Sequence, residues 1–286
     1  MITVLFDGIA YGMLLFVLSC GLSITLGLMN FINLAHGAFA MVGGYAAVVL
    51  ANQVGVPFLA ALPLAFLAAA AVGAVLERAL YKRLYARPHL DQVLFTVGLV
   101  FMSVAAAKYV AGSQQQFVTL PNYLKGRLDL GVGSIGVYRL LIIVLCGLIA
   151  LILQMVLTRS RFGSQLRAAV DDARVARGLG IRVDRVFALS FAVGSGLAGL
   201  GGALGAEILG LDPTFPVKFM IYFLIVVTIG GSTSIVGPFV AALLLGIADV
   251  AGKYYIPSLG GFVIYTLMIA VLILRPNGLI GPRSAR

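Results

Sequence analysis

Apolar runs long enough to cross a bilayer follow one another along almost the whole chain. They constrain the fold more than any other feature. A helix needs about 18–20 apolar residues to span the hydrocarbon core. Within that core, only helices and closed barrels satisfy every backbone polar group. The runs lack the period-two alternation of barrel strands, so they predict helices. Composition agrees: 10% of the 286 residues are charged, where soluble domains average about 25%. Mean hydropathy is +1.09. The expected fold is a single all-α polytopic membrane domain over residues 1–286. It should hold about eight to nine transmembrane helices, some of them broken or re-entrant.

The first span covers about 3–28, with Asp7 at the outer interface and Gly8 and Gly12 in a GxxxG spacing that permits close helix approach. The N-terminus lacks a basic n-region, so this run is expected to be retained as a span. Further runs cover about 39–54, 58–76, 92–111, 138–157 and 186–208. A seventh reaches Ile229, an eighth about Gly252, and a ninth covers about 260–274. Gly194, Gly196 and Gly199 form a formal GxGxxG inside one apolar run. That motif binds dinucleotides only between a strand and a helix, so close packing is the reading here. Cys20 and Cys146, each within an apolar run, read as small buried hydrophobes.

The one long polar segment is Arg159–Arg185, with seven arginines against Asp171, Asp172 and Asp184. Residues 78–89 form a second basic loop, and Arg275, Arg283 and Arg286 a third cluster. Basic residues collect in short cytoplasmic loops. Nine crossings with the N-terminus outside and the C-terminus inside place all three clusters on the cytoplasmic face, and make 112–136 the sizeable outer loop. The net charge of +10 then reflects topology and anionic lipid rather than nucleic acid. Within loop 158–185, Ser164 reads as an N-cap and Gly178 and Gly180 as terminators of a short helix. Its stripe is Leu166, Ala169, Val170, Ala173 and Ala176, and Asp171 can pair with Arg174. Such a helix is either part of a solvated loop or a docking element for a soluble partner.

Asn30, Asn33 and His36 recur every three residues in an apolar setting, followed by Gly37. Polar groups at membrane depth face a bundle interior or a water-filled cavity. They are either interhelical hydrogen-bonding groups or the lining of a pathway. One histidine without Cys, Asp or Glu beside it offers too few ligands for a metal. The uncharged reversal 230–238, with Gly230, Gly231, Ser232 and Gly237, can lie within the membrane. Glu207 ends the sixth run, either solvated at the interface or engaged in docking or entry, and Asp249 and Lys253 stand four apart near the end of the eighth. No Walker A, HExxH, GxSxG or CxxC occurs, so the chain reads as a pathway without an energy source of its own.

Four segments resemble one family in its own order: GLSITLGLMNFINLAHGAF (21–39), RAAVDDARVARGLGIRVDRVFALSF (167–191), TIGGSTSIVGPFVAALLLGIAD (228–249) and LRPNGLIG (274–281). The chain resembles the LivH-type permease subunits of ABC importers for branched-chain amino acids; Ala38 departs from the acidic residue that many relatives carry after His-Gly. The resemblance implies an ABC importer permease fold working by alternating access in a bacterial or archaeal cytoplasmic membrane. It also implies a second related permease subunit or a copy of this one, two cytoplasmic ATPases holding ATP and magnesium, and an extracytoplasmic solute-binding protein. No cofactor is expected on this chain, and no enzymatic activity. Arg167, Asp171, Asp172, Ala176, Gly180 and Ile181 are the positions matching the coupling motif. Asn30, Asn33, His36, Gly37, Gly230, Gly231, Ser232 and Gly237 are the expected pathway. Urea or a short amide is the alternative substrate, and a stand-alone channel or secondary carrier the alternative function.

Overall fold

The computed structural model describes residues 1–29, 31–85, 87–129, 134–231, 234–275 and 278–279. Nine apolar helices are present among them, in the positions the hydropathy predicts. They are α1 (Ile2–Leu22), α2 (His36–Val48), α3 (Phe58–Ala79), α4 (His89–Ala111) and α5 (Val137–Arg159), then, after the polar segment, α8 (Val183–Gly205), α9 (Phe215–Gly230), α10 (Val236–Tyr255) and α11 (Gly260–Leu274). Between α5 and α8 lie two short helices, α6 (Arg161–Asp171) and α7 (Ala173–Gly178). Among the described residues six helices are long and apolar enough to cross a membrane, namely α1, α3, α4, α5, α8 and α10; α9 and α11 are apolar but shorter.

The first span is continuous helix only to Leu22, then widens into a π-helical turn, Ser23–Leu28. The Thr25 hydroxyl donates to the Gly21 and Leu22 carbonyls at 3.3 and 3.2 Å, and Ser23 to Ser19 at 3.3 Å. Side-chain hydroxyls bonded to the preceding turn are a recognised cause of such distortions. α2 also ends in a π-helical turn, Val49–Gln53, which completes the second expected span.

α8 is the central helix and packs on α1, α2 and α3. Its small residues make this possible, because in lipid helix association depends on close backbone approach rather than on a hydrophobic drive. A Cβ on Gly199 would meet the Ala69 Cβ and, at 3.3 Å, the Gly43 Cα. The Gly8/Gly12 spacing serves the same purpose against α10. There a Cβ on Gly8 would meet the Ile247 Cα at 2.7 Å, and one on Gly12 the Ala242 carbonyl oxygen at 2.7 Å. α4 and α5 are peripheral and turn Leu94, Phe101, Met102, Val144, Leu148 and Leu151 outward, as lipid or a partner subunit requires. Cys20 and Cys146 are buried and unpaired.

The two basic loops 78–89 and 159–185 share one end of the bundle, joined by the 2.6 Å ion pair Lys82–Asp184. At the other end, the described residues of loop 112–136 hold regular structure that its composition does not predict. It contains an antiparallel pair, β1 (Arg127–Asp129) and β2 (Ser134–Gly136). Gln116 and Leu211 exchange backbone hydrogen bonds of 2.7 and 2.8 Å, and Asn52 clips Phe117 and Thr119 with its side-chain amide at 2.8 and 2.9 Å.

Candidate functional site

The polar segment departs from the sequence expectation in three ways. Ser160, not Ser164, caps α6, its Oγ accepting from the Gly163 N–H at 3.1 Å; Ser164 lies inside the helix and donates to the Arg161 carbonyl. The single helix is two, because Asp172 leaves helical geometry (φ −152°, ψ 102°) and caps α7. Its Oδ1 accepts from the Arg174 and Val175 N–H groups at 2.8 and 3.0 Å. Among the described residues Asp171 and Arg174 form no ion pair, since the kink at Asp172 removes the i,i+3 geometry the pair needs. Arg177 instead bonds Asp184 at 3.1 Å.

α7 closes at Gly180, whose φ of +84° suits a residue without Cβ. The Gly180 N–H donates to Arg177 and the Ile181 N–H to Ala176, both at 3.0 Å, the two bonds of a Schellman motif. The expected apolar stripe is present and covered by the chain itself. Leu166, Ala169 and Ala176 are buried, the last two with Val183, Ile181 and Phe187. Arg167 donates to the Leu157 carbonyl and ties α6 to the end of α5. Arg167 also shares a pocket of about 330 Å³ with Gln154, Ser234 and Ile235, so the polar segment adjoins the 230–238 reversal.

Of the coupling positions, Asp172, Gly180, Ala176, Ile181 and Arg167 thus shape the two-helix unit, and Asp171 faces outward. Sequence reasoning missed Val175 and Leu179, which are 57% and 76% exposed on α7 and at its cap. Their signal was an apolar i,i+4 pair lying off the buried stripe.

The polar groups at membrane depth are engaged in packing. His36 is 2% exposed, with Nε2 2.9 Å from the Leu18 carbonyl oxygen of α1, which places the proton on Nε2. Its ring stands edge-on to Phe223 of α9 at 6.1 Å. Asn33, 1% exposed, accepts from the Tyr81 hydroxyl at 3.1 Å. A Cβ on Gly37 would meet the Pro216 Cα at 2.9 Å, so the starts of α2 and α9 touch. Gly231 ends α9 with φ +86°, and Gly230 and Gly237 pack backbone to backbone across the reversal. Asn30 and Ser232 lie outside the described residues.

Two cavities open at the end opposite the basic loops. One, about 630 Å³, is bounded by the β1–β2 hairpin and Glu207, which sits beyond the end of α8 in the following turn. The second, about 570 Å³, lies among α1, α9, α10 and α11. Asp7, Arg139 and Ile208 line both, and Asp7 and Arg139 form an ion pair between them. Asp249 and Lys253, four apart in sequence, pair at 2.6 Å and line the second cavity. Lys218 lines it too and bonds Asp212. Burial works to raise the Asp212 carboxyl, but the Lys218 ammonium and the Thr214 hydroxyl and amide outweigh it and hold that group below its usual range. Among the described residues no His, Cys, Asp and Glu cluster could hold a metal ion.

Residues 4–272 match the family model described as "Branched-chain amino acid transport system / permease component". The chain is similar to the high-affinity branched-chain amino acid transport system permease protein LivH of Escherichia coli (strain K12), at 28% identity over 97% of this chain and 94% of that protein. It is also similar to LivM, a permease protein of the same description from the same organism, at 25% identity over 94% of this chain and 68% of LivM. Among solved structures, a chain of PsaBC from Streptococcus pneumoniae in complex with Fab shares the fold. Its TM-score is 0.52 at 14% identity, covering 98% of this chain and 91% of that one.

Proposed function

Because the chain belongs to the family of branched-chain amino acid transport permease components, we propose that it is the transmembrane subunit of an ATP-driven importer of branched-chain or other hydrophobic amino acids. It works by alternating access in the cytoplasmic membrane, N-terminus outside and C-terminus inside. A second permease of the LivM kind, or a copy of this chain, completes the pathway. Two cytoplasmic ATPases supply ATP and magnesium, and a solute-binding protein delivers substrate from the far side. The chain carries no cofactor and no catalytic group of its own.

The observation that carries this reading is the α6–α7 unit. Its apolar stripe is already satisfied within the chain, yet Val175 and Leu179 remain exposed among arginines. An apolar pair with a basic surround, held on a capped and Schellman-closed helix, fits a groove on a soluble partner. Its attachment to α5 through Arg167 and to α8 through Val183 gives a rigid route from that partner to two spans. The pathway is assigned to Asn30, Asn33, His36, Gly37 and the Gly230, Gly231, Ser232 and Gly237 reversal. Of those within the described residues, Asn33, His36 and Gly37 sit before and at the start of α2, Gly230 and Gly231 at the end of α9, and Gly237 at the start of α10, helix ends of the kind that line transport pathways.

Affinity purification of the tagged protein from its native membrane, followed by an ATPase assay, tests the reading. Co-purifying ATPase activity lost in Val175→Asp/Leu179→Asp, with the permease still inserted and monodisperse, supports it. Undiminished co-purification from that variant removes α7 as the docking site. A protein that purifies without any ATPase removes the importer reading.

A further inference from the structure

Between the π-helical turn Ser23–Leu28 and α2 the chain leaves helical geometry, and two buried side chains from the 78–92 stretch hold this break. Gln92, near the start of α4, is 3% exposed, and its amide serves both sides. Its Oε1 accepts from the Ile32 N–H at 3.2 Å, while its Nε2 donates to the Leu84 and Arg87 carbonyls at 3.3 and 3.1 Å. Tyr81 is fully buried and donates its hydroxyl to Asn33 Oδ1 at 3.1 Å. Its ring lies 4.5 Å from Phe191 of α8 and 5.4 Å from Phe31. Tyr85 packs on Phe31 and on Phe187 of α8 at 5.5 and 5.7 Å. The basic loop 78–89 therefore has an inward aromatic side that a merely solvated loop does not need.

Its other side reaches the polar segment. Asp184, at the start of α8, accepts from Lys82 at 2.6 Å and from Arg177 of α7 at 3.1 Å. Lys82 follows Tyr81 within one tight turn, Tyr81–Arg83, so the two shift together. We propose that loop 78–89, clamped by Gln92, is the lever that carries movement of the α6–α7 unit to the helix break at 31–36, with Gln92, Tyr81 and Asp184 as its positioning residues. Coupling over such distances is carried by packed side chains, hydrogen bonds and ion pairs that can take two discrete arrangements. Here a backbone donor and a side-chain acceptor of the break both lean on the same loop. Lys82, Arg177 and Asp184 are about half-exposed, and exposed ion pairs add little stability. Their part is to set where the loop meets α7, not to hold the fold. This inference rests on the ATP-driven reading above and adds the route from the docking unit to the pathway.

The test uses the transporter as purified from its native membrane, in proteoliposomes with its binding protein outside and magnesium-ATP inside, and reads leucine moved per ATP hydrolysed. Gln92→Met keeps the length of the side chain and removes its hydrogen bonds. Tyr81→Phe keeps the ring and removes the bond to Asn33, and Asp184→Ala removes both ion pairs. In all three the ATPase subunits should stay bound and active. Leucine moved per ATP should fall at least about fivefold in Q92M and Y81F, the size of one lost hydrogen bond. It should fall about twofold or more in D184A, while Asp184→Glu, which can still take both cations, should keep the wild-type ratio. Hydrogen exchange supplies a readout that packing alone would not move. In the wild type, magnesium-ATP should change exchange in peptides covering 173–181 and in peptides covering 31–38. In Q92M and Y81F the first response should remain and the second should be lost. If Q92M does not assemble, Y81F decides by the same two measurements. An unchanged ratio in Y81F, a 31–38 response that persists in it, or a wild type that responds only at 173–181 overturns the lever and leaves the importer reading standing. An unchanged ratio in D184A overturns the link to α7. A wild type in which neither peptide responds to magnesium-ATP removes both the lever and the reading it rests on.

Discussion

Asp172 sits in the polar segment where charge is the obvious reading, but its geometry gives it a different role. Its Oδ1 accepts two backbone N–H groups, from Arg174 and Val175, at 2.8 and 3.0 Å. α7 has six residues, too few to persist by itself in water. Its stability therefore depends on this cap, on the Gly180 closure and on burial of Ala176. Removing an N-cap costs about 0.5–2 kcal/mol, and two good acceptances place Asp172→Ala toward the upper part of that range. At about 1–2 kcal/mol, local opening of α7 becomes roughly five- to thirtyfold more frequent. Hydrogen exchange at peptides covering 173–181 should accelerate by that factor, while peptides in α8 and α1 stay unchanged. Asp172→Asn retains an acceptor oxygen, and Asn is as good a cap as Asp. It should exchange like the wild type and keep the ATPase subunits bound, whereas Asp172→Ala loses both. Equal defects in the Asn and Ala variants would show that the charge matters rather than the cap, and unchanged exchange in the Ala variant would refute the reasoning outright.

Gly246→Leu should separate α1 from α10, because a Cβ there meets the Gly8 carbonyl oxygen at 2.7 Å and the backbone of Gly12. Overpacking of this kind costs about 1–3 kcal/mol or more, and the melting temperature in detergent should fall, while Gly98→Ala, with nothing within 4 Å of the new Cβ, should leave it unchanged or raised. The Asp212 carboxyl is held below its usual range in the folded chain. Its stabilising contribution is therefore fully present above the unfolded value of about 3.9 and is lost as pH falls through the lower folded value. The gap in melting temperature between wild type and Asp212→Asn should be constant near neutrality and close below about pH 4. A gap that persists in acid would mean that Asp212 stabilises by its shape rather than its charge.

Local patterns carried most of the architecture into the sequence. Hydropathy placed the nine apolar helices, and the Gly8/Gly12 spacing marked a helix contact. The amphipathic stripe from Leu166 to Ala176 was equally legible, because burial there follows helical period. What the sequence concealed depends on competition or on distance. Both Ser160 and Ser164 can cap a helix; the helix starts at the earlier one, where the Gly163 N–H meets the Ser160 Oγ and Gly163 packs against Leu157. Asp172 can lie within a helix or begin one, and nothing nearby in sequence decides. The β1–β2 pair is too short for alternation to reveal it. The second cavity draws its charges from the starts of α1, α5 and α9 and the end of α10, positions from Asp7 to Lys253 that no local pattern joins.

On the proposed reading, this permease moves hydrophobic amino acids only when ATPases act on its α6–α7 unit. Its most direct test is uptake of labelled leucine into proteoliposomes holding the transporter as purified from its native membrane, with its binding protein outside and magnesium-ATP or a non-hydrolysable analogue inside. Accumulation above the outside concentration with ATP, and none with the analogue, is the predicted result. Leucine movement that proceeds equally without ATP would contradict it and make the chain a channel or carrier.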